Sequence, residues 1–253
     1  MRKLLKTTLA VAVLAAGVGA LSGCETNEAL GRSQLILVDE SAMQQAAAAA
    51  WQEQLKSGKV SKDASMNARV QKVGARIVAA AGMGGQPWQY VVFDNDQPNA
   101  FVLPGNKVGV NTGLFKAVKN DDQLAAVLGH ETGHVIARHA AERASQNAAT
   151  QVGLQVATGV TKGRVQQVVA NYGGLGAQLG ILMPYSRKQE SEADFIGVDL
   201  MVKAGYKASE SVALWQNMSA LGGNKPPEFM STHPSDTTRI KGLQDYITTK
   251  GYK

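Results

Sequence analysis

The chain has 253 residues, with 26 basic and 20 acidic side chains and a formal charge of +6 at pH 7. Losing Arg2, Lys3 and Lys6 with a leader leaves +3, too little for a nucleic-acid surface, and no basic-aromatic cluster appears. The single cysteine excludes an intramolecular disulfide, and the roughly 230 residues beyond a leader suffice for one domain with a sizeable core.

Met1 to Lys6 is a basic stretch, Thr7 to Leu21 is short and apolar, and Leu21-Ser22-Gly23-Cys24 follows. This is the pattern of a secretory signal over residues 1–23, too short for a stable membrane span. Its end resembles a bacterial lipobox, so Cys24 is the expected lipidation site, and acyl chains there would anchor the protein to a membrane. Glu25 follows, not the Asp associated with inner-membrane retention. The expected location is therefore a periplasm-facing envelope lipoprotein at the outer membrane. Residues 24–40 read as a tether and 41–253 as one catalytic domain.

Ser41 to Lys56 and Ser65 to Ala81 have helical composition and spacing, with a breaker cluster at Gly82 to Pro87. Trp88 to Phe93 reads as a strand, and Phe101 to Leu103 and Val108 to Val110 as short strands around the turn Pro104-Gly105-Asn106. The fold class expected is α+β, predominantly helical, with a small sheet.

Asn120-Asp121-Asp122-Gln123 reads as an N-cap, an acidic first turn and a capping-box residue, opening an amphipathic helix over Asp121 to Ala144. At its centre lies His130-Glu131-Thr132-Gly133-His134, an H-E-x-x-H pattern. Residues four apart share a helix face, so His130 and His134 can present two imidazoles to one metal ion. Glu131 stands close enough to take a proton from water at that ion, the zincin arrangement. His139 lies about 140° further round the helix than His134 and is expected as a solvated or supporting histidine. Ala137 and Ala140 stand where the metzincin pattern wants Gly and His, which excludes that class.

A catalytic zinc needs a third protein ligand. Glu142 is too near on the same helix to fold back. Glu190 and Asp194, four apart in Ser186 to Asp194, share a face of the next helix. Glu190 is the natural third ligand and Asp194 a carboxylate that fixes a ligand imidazole. Glu192 is about 200° from Glu190 and is expected to face solvent. Ser145 to Tyr185 carries only Lys162 and Arg164 as charges; its Gln, Asn and Gly content interrupts any membrane-length apolar run. A mobile lid or partner-docking segment, or else a pair of helices packed on the active-site helix, is expected there. Arg187 to Gly205, Lys207 to Leu221 and Ser235 to Lys250 are helical in pattern, and Gly222 to Phe229 is a loop.

H-E-x-G-H, the distant Ser186 to Asp194 pattern, and Thr232-His233-Pro234-Ser235 with Arg239-Ile240 together resemble the CAAX prenyl endopeptidase family of zinc metallopeptidases. The likeness is greatest to its soluble periplasmic branch of BepA- and LoiP-like lipoproteins. Asn99 to Gly105 resembles that family's edge-strand segment, and the likeness runs from Ser65 to Ile247. Thr132 stands where an aliphatic residue is usual and Gln123 where an acid is frequent.

The resemblance implies a zincin-like endopeptidase with one Zn2+ per chain, held by His130, His134 and Glu190. It implies too that His233 approaches the metal or the substrate; in some relatives the equivalent histidine takes the fourth metal position and holds the enzyme latent. Arg239 is a candidate to steady an oxyanion or a carboxylate. The edge strand around Asn99, Ala100 and Phe101 is expected to pair with substrate main chain. Family and location together point to misfolded or misassembled envelope proteins as substrates. The competing expectation is a lipoprotein chaperone or scaffold with a latent zinc site.

Overall fold

The computed structural model describes residues 23–157, 185–221, 229, 231, 233 and 237–253. The expected signal segment, residues 158–184 of the expected lid, and most of the Gly222 to Phe229 loop lie outside them.

Two helices open the domain, each started by an aspartate whose side chain accepts a backbone N–H of the first turn. They are α1 (Glu40–Ser57, capped by Asp39) and α2 (Ala64–Ala80, capped by Asp63). A three-stranded sheet follows, made of β3 (Gln89–Phe93), β4 (Ala100–Leu103) and β5 (Lys107–Asn111) in the order β3-β5-β4. β5 pairs parallel to β3 and antiparallel to β4, which leaves β4 at one edge. The β4–β5 turn uses left-handed backbone at Gly105 and Asn106, as a tight reversal requires.

Next comes α3 (Asp121–Ile136), capped by the Asn120 side chain on Gln123 N–H at 2.8 Å. It packs against α2, β4, α5 (Arg187–Lys203) and α6 (Ser209–Leu221). Every residue from Gln123 to His134 is therefore buried. The helix is enclosed on all sides, where the sequence suggests one amphipathic face. Leu124, Leu128, Val198, Met201, Leu214 and Trp215 belong to the main core around it. The last helix, α7 (Thr237–Lys250), packs on α5 and α6.

Glycine sets the α3–α5 spacing. A Cβ on Gly133 would stand 2.7 Å from the Ala193 carbonyl oxygen, and one on Gly129 2.9 Å from that of Gly197. The glycine inside the histidine motif thus lets α5 approach close enough for its carboxylates to reach the histidines.

Two segments differ from the sequence reading. The helix expected to run to Ala144 breaks after Ile136, and α4 (His139–Ala157) starts anew. Arg138 takes a left-handed φ of 52° at the break and pairs with Glu40 and Glu25. Residues 24–35, read as part of a tether, form a hairpin of β1 (Cys24–Asn27) and β2 (Arg32–Leu35). The hairpin has polar work to do at the end of α3, where helical carbonyls lack partners. Asn27 Nδ2 donates to the Ile136 carbonyl at 3.3 Å and Gln34 Nε2 to that of Ala137 at 2.8 Å. Beyond it, Ile36 and Val38 pack with Met43, Ala141 and Ala144. Among the described residues no helix is long and apolar enough to cross a membrane.

Candidate metal centre

Helical spacing brings His130 and His134 together on α3, with Nε2 atoms 3.1 Å apart. α5, started by a capping box between Ser186 and Gln189, carries Glu190 and Asp194 one turn apart and facing α3. His233 adds a third imidazole: its Nδ1 is 3.1 Å from His130 Nε2 and 3.1 Å from Glu190 Oε1. Glu190 Oε2 is 3.4 Å from His130 Nε2, and Oε1 is 3.5 Å from His134 Nε2. All four side chains are buried, and their donor atoms lie within 4.8 Å of one another.

This donor set fits zinc. Bonds of about 2.0–2.2 Å in a tetrahedron place ligand atoms about 3.3–3.6 Å apart. The observed donor spacings of 3.1 to 3.5 Å fall around that range. The Nδ1 atoms of His130 and His134 are already engaged by Asp194 and His139, so their Nε2 lone pairs converge on one point. Three imidazole nitrogens turned toward one carboxylate in a buried pocket are the arrangement a bound cation would satisfy. The donors are the N/O set of a catalytic zinc, without sulfur.

Each carboxylate has its own environment. Burial disfavours the Glu190 anion, yet His233 and Arg239, with hydrogen bonds from His130 and His134, hold its carboxyl well below the usual range. Burial likewise opposes ionised Asp194, and Arg239 overcomes it. Arg239 donates to Asp194 through Nε at 2.5 Å and Nη2 at 2.8 Å, and its Nη1 is 2.7 Å from Glu190 Oε2. Its guanidinium lies over the Trp215 ring. Arg239 thus bridges the two carboxylates, Asp194 and Glu190.

Asp194 Oδ1 accepts from His130 Nδ1 at 2.9 Å. Against the penalty of burial, Asp194 and Glu190 raise the His130 pKa to about 9, the pull of a site built for a cation. His134 moves the other way, well below its ordinary value, because burial dominates. Glu131 is fully enclosed, and among the described residues its Oε1 has no hydrogen-bond partner; the His233 Nε2 stands 3.5 Å away. Burial raises the Glu131 carboxyl, with His233 and His130 opposing.

Sequence reasoning missed the second support. His139 is buried, with Nδ1 2.9 Å from His134 Nδ1 and Nε2 3.0 Å from Glu192 Oε2. Glu192 is not a solvent-facing residue, and Glu142, which as expected is not among the metal donors, joins it in the support. Both are gripped by Arg32 of the hairpin. The break at Arg138 is what carries His139 and Glu142 back beside α3. Tyr185, stacked on His134 with ring centres 3.9 Å apart, was also missed; it stands just before the recognisable Ser186 pattern.

A cleft of about 810 Å³ opens beside His134. Its walls are α1, through Met43 and Gln44, and the end of β4 with its turn, through Val102, Leu103 and Asn106. Asn99, Ala100 and Phe101 do not line it. They are buried, and Phe101 packs with Trp51 and Phe93. The Asn111 N–H donates to the Asn99 carbonyl, which fixes the alternation along the β4–β5 ladder. By that alternation, Ala100 and Val102 turn their N–H and C=O groups toward the free edge.

Two imidazoles one turn apart, a carboxylate from a second helix and a buried glutamate beside them define a zincin-type metal centre. A model of peptidase family M48 matches residues 64–247, and the chain belongs to that family, whose metal is zinc. It is 40% identical over 182 residues to the mitochondrial metalloendopeptidase OMA1 of Schizosaccharomyces pombe, covering 70% of this chain and 52% of that one. It is 31% identical over 184 residues to the beta-barrel assembly-enhancing protease of Yersinia pestis, covering 70% and 38%. With the metalloprotease YcaL of Escherichia coli it shares 30% over 188 residues, covering 74% and 73%. The chain spans about half the length, or less, of the OMA1 proteins it matches.

Proposed function

We propose that the protein is a zinc-dependent metalloendopeptidase that hydrolyses peptide bonds of unfolded or misassembled envelope proteins. The convergence of His130, His134 and Glu190 beside Glu131, whose Oε1 accepts no hydrogen bond among the described residues, carries this reading. Bound zinc supplies Lewis acidity, polarising a peptide carbonyl and making a water acidic near pH 7. Glu131 Oε1 takes the proton of the attacking water and returns it to the leaving amine; its raised pKa suits a group that must hold that proton between steps. Asp194 and Arg239 hold His130 and Glu190 in place through the cycle. The substrate enters the cleft as an extended strand along the β4 edge, with Val102 offering main-chain bonds, so that sequence preference stays loose.

Within the family, we propose that the chain is one of the CAAX prenyl endopeptidase-like proteases, in the periplasmic BepA- and LoiP-like branch. Similarity to two bacterial proteases and the lipobox-like Leu21 to Cys24 support the branch; the motifs of Ser186 to Asp194 and Thr232 to Ile240 are what suggest the wider group. Residues 1–23 are the leader, and Cys24, exposed at the start of β1, is the acylated first residue of the mature protein. Loss of acyl label and membrane association in Cys24→Ala is the expected outcome; unchanged labelling contradicts it.

His233 stands where a fourth ligand would, which favours a latent resting state. Casein cleavage by purified wild type, Glu131→Gln and His233→Ala at equal zinc content tests both points. Cleavage that vanishes in Glu131→Gln and quickens in His233→Ala is expected. No cleavage by wild type or His233→Ala with zinc bound would favour the chaperone or scaffold role.

A further inference from the structure

His134 turns Nε2 toward the other donors, so its neutral ring carries the proton on Nδ1. The Nδ1 of His139, 2.9 Å away, is in position to accept it. His139 must then hold its own proton on Nε2, which faces Glu192 Oε2 at 3.0 Å. Glu192 is gripped at both oxygens by Arg32, through Nε at 2.6 Å and Nη2 at 2.7 Å. The same guanidinium reaches Glu142 at 2.6 and 3.0 Å, where Gln34 and Gln189 also donate. One proton placement satisfies every pair in this row.

We infer that Arg32, in the N-terminal hairpin, is a positioning residue for the metal centre, acting through Glu192 and His139 on the ligand ring of His134. It touches neither ligand nor substrate. Its effect is on the tautomer of His139: a fixed carboxylate at Nε2 keeps the proton there and leaves Nδ1 free to accept. Without the grip, Glu192 can swing away and His139 can carry its proton on Nδ1. Two N–H groups would then meet at the His134–His139 contact and push the ligand ring out of line. Arg32 lies ahead of the family match of residues 64–247, in the N-terminal hairpin. The inference rests on the metal centre proposed above.

The test is zinc affinity, measured on the full chain by competition with a chromophoric chelator, together with the visible spectrum of the cobalt-loaded protein. Arg32→Gln and His139→Leu should raise the zinc dissociation constant about 10–100-fold and alter the cobalt spectrum. His139→Gln, which keeps an acceptor for His134 and a donor for Glu192, should rescue most of the affinity. Arg69→Gln, which removes the pair with Asp121 at the start of α3 instead, should bind zinc like wild type. Unchanged affinity in Arg32→Gln overturns the inference. So does an equal loss in Arg69→Gln that follows the melting temperature of the metal-free protein, which would mean general loosening. If Arg32→Gln does not fold, equal weakening in His139→Leu and His139→Gln overturns it. A wild type that binds no zinc would instead defeat the metal centre itself.

Discussion

His130 rests directly on Asp194, and Arg239 clamps that carboxylate from behind. His134 rests on His139, then Glu192, then Arg32, a row that ends in a hairpin more than a hundred residues away. The first support is short, fully buried and drawn from α5 and α7. The second is longer and reaches the surface, with the Arg32 and Glu192 side chains 18% and 16% exposed. A carboxylate on a neighbouring helix suffices to fix one imidazole, whereas the other needs an intervening ring and therefore an outer anchor. The two supports should fail differently.

The largest expected effect lies in the chemistry that both supports serve. Glu131→Gln should lower peptide hydrolysis by about 10²–10⁴-fold with zinc content unchanged, measured with a fluorogenic unfolded substrate. The next separates the supports. Asp194→Asn leaves Arg239 short of a partner in a buried site and should cost about 3–5 kcal/mol by chemical denaturation. Glu192→Gln leaves Arg32 paired with Glu142 near the surface and should cost about 1 kcal/mol or less. Equal losses would erase the distinction.

The pH response of the metal-free protein sharpens it further. His130 has a folded pKa raised to about 9, so its contribution is complete below its ordinary 6.5 and is lost as pH rises through about 9. His134 and His139 are lowered, chiefly by burial, so their side loses stability as pH falls below 6.5. Glu192 is held down to about 2 against burial by Arg32 and His139; its contribution is present above 4.5 and lost as pH falls toward 2. Melting temperature against pH should show both flanks, and Asp194→Asn should flatten mainly the alkaline one. The last expected effect is geometric. Gly133→Ala meets the Ala193 carbonyl and should cost about 1–3 kcal/mol while loosening zinc.

The same contrast explains what could be read from sequence. Spacing of four on one helix placed His130 with His134, and Glu190 with Asp194, because helical geometry is local. The helix over Arg187 to Lys203 and the three strands were legible from composition and periodicity for the same reason. The second support was not. It depends on a helix break at Arg138, a residue with no glycine or proline signal, and on a hairpin whose polar face becomes meaningful only against the end of α3. Helical angles counted through that break kept His139 and Glu142 out of the metal donors, as the structure has it, but could not tell a solvated His139 from a supporting one. Glu192 was misjudged because its partners, Arg32 and His139, come from elements that its own helix could not reveal. The expected edge strand lay in the right sheet, but α1 closes over its first half, so the cleft runs beside Val102 to Asn106.

The most direct measurement is an anomalous-difference map at the zinc edge from zinc-loaded crystals. A single peak about 2.0–2.2 Å from His130 Nε2, His134 Nε2 and a Glu190 oxygen is the expected result. A zinc-loaded protein with no peak at that point, or with the ion held away from Glu190, would contradict the site.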